Sequence, residues 1–416
     1  MTLALTEAER ETAQRDAAAG LALRVVAEAA RLLGAARLIP IASAHIDGCL
    51  YHGDAGVAFA ERLVAEGGEV AVPTTLNVGA LDLLHPERVQ AAPERQAAAR
   101  RQMEAYLALG CRPTWTCAPY QAGHRPAAGE DVAWGESNAV AFCNSVLGAR
   151  TNRYGDLLDI CCALSGRAPD CGLHRPENRR ATILVRTAGI SAALKDSEVF
   201  YPVLGAWLGA EVGADVAVIE GLPQGLSEDR LKALGAAAAS TGAVGLFHVA
   251  GVTPEAPSAE AALGGEAPER VLDLTPAALR QARDRLSTSL AEKVDAVALG
   301  SPHFSYEEFG RLERALEGRE IRLPFYVCTG RHAIERLQTE GRLRPLEEAG
   351  VTLVTDTCVV VTPILPDDGG VLMTNSGKFA HYAPGTIGYG VVYGSLEDCV
   401  ATAASGRVAR DESLWQ

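Results

Sequence analysis

Two cysteines and a polar, glycine-centred run within residues 324–384 are the groups most able to do chemistry in this chain. Cys328 ends the apolar run PFYVC and Cys358 follows VTLVT, so both are predicted at or near the ends of parallel strands. Ligands gather at that edge of an open α/β sheet. In the later run NSGK, Ser376 and Lys378 flank a glycine that lets backbone N–H groups approach an anion. Two thiols and an anion cradle in one segment indicate a metal-assisted site.

A third cysteine, Cys117 in the run TWTCAPY, has a similar predicted position. Pro119 cannot donate to a sheet, so the strand must stop there and Cys117 should lie in a turn. The chain has no CxxC pair, no ferredoxin run and no cysteine–histidine zinc spacing. The pattern alone therefore leaves Cys117, Cys328 and Cys358 open as metal ligands or as ordinary thiols. Other cysteines fall within apparent helices and are expected to be buried, namely Cys143, Cys161, Cys162 and Cys399.

Polar residues also follow the predicted strands of the N-terminal half. The strand in ARLIPIASAHIDG runs into a turn at Asp47 and Gly48, and the strand in EVAVPTTLN ends at Asn77. Because a strand, helix, strand connection is right-handed, the two turns should lie side by side. Each residue alone is more often a cap or a turn former than a functional group. Their recurrence at strand ends favours a functional interpretation of the set.

The segment AWGESNAV predicts a loop that leads into a helix, with Ser137 or Asn138 as its N-cap. Exposed amides at such a helix start suit a carboxylate or a phosphate. Glu136 lies close to Trp134 in sequence, and desolvation beside that ring would raise the pKa of its carboxyl. Glu136 is therefore a candidate acid or base, and Lys378 is the candidate cation for an anionic group.

Length and composition limit the class of protein. At 416 residues, 48% of them hydrophobic, the chain can bury a large core and is expected to form two lobes, 1–190 and 191–416. A net charge of -14 argues against nucleic acid or an anionic membrane as a partner. The sequence shows no signal-peptide pattern and no long apolar run, so a cytoplasmic protein with ten reduced cysteines is expected.

The order of elements predicts an α/β fold with parallel-sheet βαβ lobes and flanking helices. One helix is expected over Thr6–Leu33, a strand ending at Cys117, one crossover helix in RHAIERLQTEGRLRPLEEAG and a polar connector in VTPEAPSAEAALGGEAPERV. The nucleotide-binding runs GxGxxG and GxxxxGKS/T are both missing, which weakens nucleotide-dependent functions.

Six separated blocks of sequence resemble the aconitase X family, a divergent branch of the aconitase superfamily. They are TTLN, TWTCAPY, AWGESNAVAFCNSVLGARTNR, GSPHFS, DTCVVVTPI and TNSGKFAHY, and the resemblance covers nearly the whole chain. It implies an aconitase-like fold. Members of the family are dehydratases with an iron–sulfur cluster held by three cysteines, and they act on cis-3-hydroxy-L-proline or on mevalonate 5-phosphate.

Position by position, the resemblance implies cluster ligands at Cys117 and Cys358. A third ligand of the archaeal enzymes precedes Pro-His, where this chain has Ser301, so Cys328 is taken as the third ligand instead. A 2Fe–2S cluster is the first expectation, with 3Fe–4S and 4Fe–4S left open. The implied catalytic residues are Glu136, Ser137 and Lys378, and the implied substrate contacts are Gly48, Cys49, Leu50, Asn77, Val78 and Ser376.

The resemblance also implies a partner, because aconitase-type enzymes need a small swivelling domain that this sequence does not show. A separately encoded small subunit is expected to supply it, with this chain as the large subunit, unless the chain is part of a fused enzyme.

The expected reaction is dehydration of cis-3-hydroxy-L-proline to Δ1-pyrroline-2-carboxylate, with mevalonate 5-phosphate as the alternative substrate. The candidate loops offer Arg150, Arg331 and Lys378 but no phosphate-binding glycine run, whereas Asp47 and His45 suit an ammonium group. Two other classes stay open. One is a non-catalytic binding protein with redox-responsive cysteines, and the other is a zinc hydrolase.

Overall fold

The computed structural model describes residues 3–15, 17–366 and 369–416. The chain divides into two compact units, the first made of residues 1–81 and 91–180 and the second of residues 82–90 and 181–416. The sequence predicted lobes that meet at residue 190, whereas this division falls between residues 180 and 181. The short segment 82–90 joins the second unit because it is bonded there, for example by Asp82, whose carboxylate accepts the amide of Thr355 at 3.2 Å.

The first unit is built around a small parallel sheet in the order β3-β2-β4, and β1 pairs antiparallel with β5. Its elements are α1 (Glu7–Ala13), α2 (Ala18–Leu32), β1 (Leu38–Pro40), β2 (Ala44–Ile46), α3 (Asp54–Ala65), β3 (Thr74–Leu76), α4 (Pro93–Ala108), β4 (Ala133–Trp134), α5 (Ser137–Phe142), α6 (Leu158–Ser165) and β5 (Arg167–Pro169). A π-helical turn, Cys143–Leu147, continues α5.

The single helix predicted over Thr6–Leu33 is wrong, because the chain breaks between α1 and α2. Thr6 starts α1 with a capping box shared with Glu9. After α1 the backbone folds back so closely that a Cβ on residue 20 would lie 2.1 Å from the carbonyl oxygen of Arg15. Residue 20 is glycine, which has no Cβ, so the backbone can approach this closely within the first turn of α2. The apolar residues that repeat at helical spacing, Leu21, Val25, Ala29 and Leu32, all lie in α2, so their pattern could not show the break.

The strand predicted to end at Cys117 is also wrong, although its turn is confirmed. The segment makes only an isolated bridge between Thr75 and Arg112. Trp115 then takes a positive φ of 43°, which no strand residue adopts. Cys117 lies in the bend that follows.

The second unit contains two parallel sheets, in the orders β8-β7-β6-β9 and β12-β11-β10-β13-β14, so the parallel α/β class is confirmed. Its elements are β6 (Ile183–Arg186), α7 (Ala192–Asp196), α8 (Phe200–Val212), β7 (Ala217–Glu220), α9 (Glu228–Thr241), β8 (Phe247–Val249), α10 (Ala259–Ala262), β9 (Arg270–Asp273), α11 (Pro276–Arg285), β10 (Ala296–Phe304), α12 (Tyr306–Leu316), β11 (Phe325–Thr329), α13 (Arg331–Thr339), α14 (Leu343–Glu348), β12 (Val351–Thr355), β13 (Val371–Thr374), α15 (Gly377–Thr386), β14 (Gly390–Tyr393) and α16 (Leu396–Ser405).

Two predictions for this unit need correction. The single crossover helix after Cys328 is two helices, α13 and α14, because the chain reverses its φ at Gly341. The segment predicted as a polar connector contains a short helix, α10, and leads into the edge strand β9, neither of which was predicted. The strand β9 could not be recognised from its sequence, because neither of its faces is buried enough to require a run of apolar residues.

Apolar side chains pack beside the sheets in both units. In the first unit Tyr120 stacks on Phe142, with ring centroids 3.5 Å apart, next to the fully buried Trp134. In the second unit Val297 of β10 and Phe309 of α12 belong to the core between the five-stranded sheet and its helices. Burying each such side chain contributes about 1.5–3 kcal/mol, so the strand ends are held on rigid supports.

At Gly300 in β10 the backbone passes very close to Cys328, one of the cysteines predicted to bind metal. Its φ is +92°, and a Cβ there would lie 2.0 Å from the carbonyl oxygen of Cys328. The β10–β11 pairing is irregular at this point. We expect Gly300→Ala to lower the free energy of unfolding by more than about 1 kcal/mol in urea titrations, because alanine resists positive φ and the added carbon meets backbone.

Gly310 in α12 is the matched control for that substitution. A Cβ on Gly310 would have no atom nearer than 3.7 Å. Gly310→Ala should therefore stabilise the protein by about 0.5–1 kcal/mol through helix propensity. Equal effects of the two alanines would contradict the packing argument at Gly300.

Candidate functional site

The polar residues predicted at strand ends in the first unit do lie together. Cys49 Sγ donates to the carbonyl oxygens of Asn77, at 3.4 Å, and Val78, at 3.8 Å. The Asn77 side-chain amide donates to the carboxylate of Asp47. The turns after β2 and β3 are therefore neighbours, as the right-handed crossover predicted. The loop after β4 joins them, because the amide of Gly135 donates to the carbonyl of His45 at 3.0 Å.

Glu136 and Ser137 stand at the start of α5 on this same edge. The N-cap predicted at Ser137 or Asn138 is wrong, because Glu136 fills that position and accepts the amide of Ala139 at 2.7 Å. Ser137 Oγ donates to the other oxygen of the Glu136 carboxylate at 3.1 Å. Sequence preference pointed to serine or asparagine, but the Glu136 carboxylate reaches the amide that an N-cap side chain binds, and its charge suits a helix start. Both residues are almost fully buried.

Cys117 is held beside the same helix start. The side-chain amide of Asn138 donates to the carbonyl oxygen of Cys117 at 3.0 Å, and the amide of Thr116 donates to Leu76 at the end of β3 at 3.2 Å. The thiol residue is 6% exposed. One edge of the first unit thus gathers Cys117, Glu136 and the turns after β2 and β3.

A buried histidine pair lies under this edge. Thr75 Oγ1 bonds His45 Nδ1 at 2.9 Å and His124 Nδ1 at 2.6 Å, and both rings lie against Trp134. Burial lowers the pKa of His45 to about 3 and that of His124 to about 4. Both imidazoles are therefore neutral at neutral pH and add no positive charge to the edge.

A cavity of about 450 Å³ opens within the second unit where β10 and β13 end, and Ser301, Ser376 and Lys378 line it. Ser376 is the N-cap of α15, accepting the amide of Phe379 at 3.0 Å, and its hydroxyl donates to the carbonyl of Ser301. Lys378 stands in the first turn of α15. A helix start with a lysine suits an anion, as predicted for the NSGK run.

The cavity lining is otherwise rich in acids. Seven carboxylates line it, namely Asp196, Glu198, Asp229, Glu308, Glu397, Asp398 and Asp411, against the cations Lys232, Arg311 and Lys378. Lys232 is used internally, in ion pairs with Asp229 and Glu308. Arg311 lies within 3.6 Å of Asp229. An anion would therefore find its favourable contacts at the α15 end of the cavity.

The other two predicted ligands differ in their surroundings. Cys328 is the penultimate residue of β11, opposite Val354 of β12, and is fully buried, so its predicted place at or near a strand end is confirmed. Cys358 does follow its strand, β12, and is 7% exposed. Just before it, Asp356 takes a φ of +63° and binds the Arg331 guanidinium through two bonds of 2.7 and 2.6 Å. The Arg331 guanidinium is therefore already paired with the Asp356 carboxylate, although Arg331 had been a candidate for binding phosphate.

The three predicted ligand cysteines are not equally suited to binding an iron–sulfur cluster. Cys117 and Cys358 lie in turns at sheet edges with a little exposed surface, which fits a ligand of an inorganic cluster, while Cys328 is enclosed in a strand. Cys117 belongs to the first unit, and Cys328 and Cys358 belong to the second. Within residues 3–15, 17–366 and 369–416, no three His, Cys, Asp or Glu side chains are arranged to hold a metal ion.

The remaining thiols are poorly suited to redox signalling. Burial raises the pKa of all seven, Cys49, Cys111, Cys171, Cys143, Cys161, Cys162 and Cys399, so the reactive thiolate is scarce. The helical placement predicted for the last four is confirmed. This burial argues against the redox-responsive binding protein as far as these cysteines are concerned.

Sequence reasoning missed one residue at the first edge, Asp159. It is fully buried in α6, and its carboxylate accepts the amides of Asp47, at 2.7 Å, and Gly48, at 3.0 Å. A signal was present, since an acid between Leu158 and Ile160 in an apolar helix needs a buried partner.

None of the helices in the described part of the chain combines the length and the apolar character that crossing a bilayer requires.

Sequence models of three domains match the chain almost end to end. They are described as the aconitase X first domain, matching residues 2–177, second domain, matching residues 181–284, and third domain, matching residues 294–405.

Individual proteins are similar over most of the chain. A cis-3-hydroxy-L-proline dehydratase of Pseudomonas aeruginosa is 44% identical over 405 residues, which are 96% of this chain and 69% of that protein. A phosphomevalonate dehydratase large subunit of Methanosarcina mazei is 35% identical over 97% of this chain and 98% of its own length. The crystal structure of Thermococcus kodakaraensis aconitase X in its holo-form superposes with a TM-score of 0.86 at 30% identity, covering 96% of this chain and 100% of that one.

Proposed function

This chain belongs to the aconitase X family, and from that membership we propose that it is a hydro-lyase that dehydrates a small β-hydroxy acid. The proposed substrate is cis-3-hydroxy-L-proline, and the product is Δ1-pyrroline-2-carboxylate. The observation that carries this choice is the 44% identity to the dehydratase of that name over nearly the whole chain.

The charges at the site favour the amino acid over the phosphorylated alternative, mevalonate 5-phosphate. A phosphate dianion requires several cations. His45 is neutral, with its pKa lowered by burial to about 3, and Arg331 is held by Asp356. The carboxylate of Asp47 suits the ammonium group of hydroxyproline. The 35% identity to a phosphomevalonate dehydratase large subunit keeps mevalonate 5-phosphate as the second candidate.

An iron–sulfur cluster is the proposed cofactor, with Cys117, Cys358 and Cys328 as its ligands and 2Fe–2S as the first choice. The turn positions of Cys117 and Cys358 support this assignment, and the enclosed Cys328 supports it less. When bound, a cluster iron with an open coordination position supplies a Lewis acid for the substrate hydroxyl or carboxylate.

The chain's own residues have separate proposed tasks. Glu136 removes the proton from the carbon next to the substrate carboxylate, since it is a buried carboxylate at a strand end. Ser137 and Asn77 orient the substrate. Lys378 supplies fixed positive charge to an anionic group, helped by the start of α15. The remaining proposed contacts are Gly48, Cys49, Leu50, Val78 and Ser376.

A small partner subunit completes the proposal. Relatives that match this chain over nearly their full length are named large subunits, and the chain spans 69% of the longer hydroxyproline dehydratase. We also place the protein in the cytoplasm. All ten cysteines lie in the described part of the chain and none forms a disulfide, which fits a reducing compartment.

A direct assay tests the function. The chain is purified without oxygen, alone and together with the proposed small subunit, and offered cis-3-hydroxy-L-proline or mevalonate 5-phosphate. We expect the two-subunit protein to form Δ1-pyrroline-2-carboxylate, seen by NMR, and the lone chain to form little. The trans isomer of 3-hydroxy-L-proline is the control. Turnover of mevalonate 5-phosphate alone would move the assignment to the second candidate, and no turnover of either would contradict the proposal.

A further inference from the structure

Asp159 is a fully buried carboxylate beneath the turn that follows β2. One of its oxygens, Oδ2, accepts two backbone amides, from Asp47 at 2.7 Å and from Gly48 at 3.0 Å. The other, Oδ1, accepts the amide of Ile160 at 2.7 Å. An internal anion far along the chain thus fixes the backbone of this turn through charge-assisted bonds.

The other bonds of the turn act on different groups. Gln102 donates from its side-chain amide to the carbonyl oxygens of Gly48, at 2.8 Å, and Leu50, at 3.3 Å. Cys49 Sγ connects the turn to the loop after β3. Asp159 is the group that receives the two consecutive amides at the start of the turn. Those amides face inward, so the direction of the turn depends on the position of this carboxylate.

We propose that Asp159 is a positioning residue of the dehydratase, which sets the turn Gly48–Leu50 for substrate binding by holding the amides of Asp47 and Gly48. The inference rests on the proposed function, because the role of the turn comes from it. Asp159 itself touches the turn and not the substrate, so its removal should weaken binding without removing the chemistry.

The two hydrogen bonds that Asp159 accepts from the amides of Asp47 and Gly48 form a clamp on the turn, and the strength of this clamp depends on pH. Burial raises its pKa to about 7 against the lowering effect of the Gly48 and Ile160 amides, and the charges of Asp47 and Asp156 add to the rise. The other titratable groups that face it are neutral, because burial raises their pKa values as well; they are Cys49, Tyr106, Cys111, Cys161 and Cys162. An ionised carboxylate accepts amides more strongly than a protonated one, so the clamp tightens as pH rises through about 7.

Two substitutions separate positioning from charge. Asp159→Asn keeps the shape but loses the charge, and it turns an amide nitrogen toward one of the three donors. Asp156→Asn is the matched control, because Asp156 is an exposed acid three residues away that also contributes to the field at Asp159. Both are made in the two-subunit holoenzyme, and cooperative melting shows that each variant folds.

Kinetics with cis-3-hydroxy-L-proline give the first readout. We expect Asp159→Asn to raise KM by about 10-fold or more with kcat within about 3-fold of wild type, the pattern of lost binding. Wild type should show a step in kcat/KM near pH 7 that Asp159→Asn lacks. Asp156→Asn should match wild type in KM and keep the step, moved to a slightly lower pH because one charge that raises the pKa of Asp159 is gone.

Hydrogen exchange of the peptide 44–52 gives a readout that needs no substrate. We expect its amides to exchange about 10-fold faster in Asp159→Asn than in wild type or Asp156→Asn. Unchanged exchange would overturn the positioning role, and faster exchange with an unchanged KM would overturn the link to substrate. An inactive wild type would overturn the proposed function and this inference with it, a failure recognisable because it does not involve the variant.

Discussion

Serine in place of Cys358 should give a folded protein that binds almost no iron or sulfide and retains about one thousandth of the activity or less. Thiolate is the ligand that iron–sulfur clusters require, and a serine hydroxyl replaces it poorly. Losing a Lewis acid removes several kcal/mol of transition-state stabilisation, which corresponds to about 1,000-fold in rate. Iron and sulfide analysis after anaerobic purification, with the visible spectrum, measures the cluster independently of activity. Cys117→Ser should behave in the same way.

Cys171 is the control for this series. It is a half-buried thiol outside the proposed ligand set, and serine can accept the same contact from Asn152. Cys171→Ser should keep the cluster. A full cluster in Cys358→Ser would contradict the ligand assignment.

Cys328 is tested separately, because it is the third ligand only by substitution for the position of Ser301. Its thiol is enclosed in β11, whereas Ser301 lines the cavity beside Ser376. If Cys328→Ser loses the cluster and Ser301→Ala keeps it, the results support Cys328 as the third ligand. The opposite pair of results moves the third coordination position to Ser301.

The sequence could predict that the turns after β2 and β3 lie together, because their proximity depends on the topology of the parallel sheet. Parallel strands present their carboxyl ends on one side, and right-handed crossovers leave little choice of neighbour, so the turns at Asp47 and Asn77 had to meet. The strands predicted before Cys328 and Cys358 were also located correctly, as β11 and β12, because each is a short and mostly apolar run.

What the sequence could not show depends on distant or non-periodic contacts. The break before α2 involves a close approach of residues 15 and 20, and the bend at Trp115 involves a positive φ; apolar periodicity records neither. The N-cap at Glu136 belongs to a residue type below serine in preference. Asp159 bonds a turn more than a hundred residues earlier in the chain, so its partner became visible only in three dimensions.

Lys232 shows the same dependence on distant partners, because in α9 it reads as an ordinary surface lysine. Its side chain is 1% exposed, and Nζ lies 2.9 Å from Asp229 Oδ1, 2.5 Å from Glu308 Oε2 and 3.2 Å from the carbonyl oxygen of His303. Burial lowers the pKa of Lys232, but the two carboxylates outweigh it and the net pKa is raised. The lysine stays charged and ties α9 to the end of β10.

Lys232→Met should lower the free energy of unfolding by about 3 kcal/mol at pH 8, because Asp229 and Glu308 then keep only the more distant Arg311 as a cation. Their pKa values should rise in the variant, so its stability is greatest at low pH and falls as pH increases through those values. Urea titrations at pH 5 and pH 8 should therefore show the larger deficit at pH 8. Adding Glu308→Gln should recover part of it, since one charge is removed.

Lys195 provides the comparison for this loss. It is a half-buried lysine whose Nζ donates to the carbonyl oxygen of Gly221 at 2.8 Å. Lys195→Met should cost less than about 1 kcal/mol, with no dependence on pH between 5 and 8, because no carboxylate is left buried. An equally small effect at Lys232 would mean that water reaches Asp229 and Glu308 once the lysine is gone. The end of β10, next to Ser301 and the cavity, would then be supported by packing and not by charge.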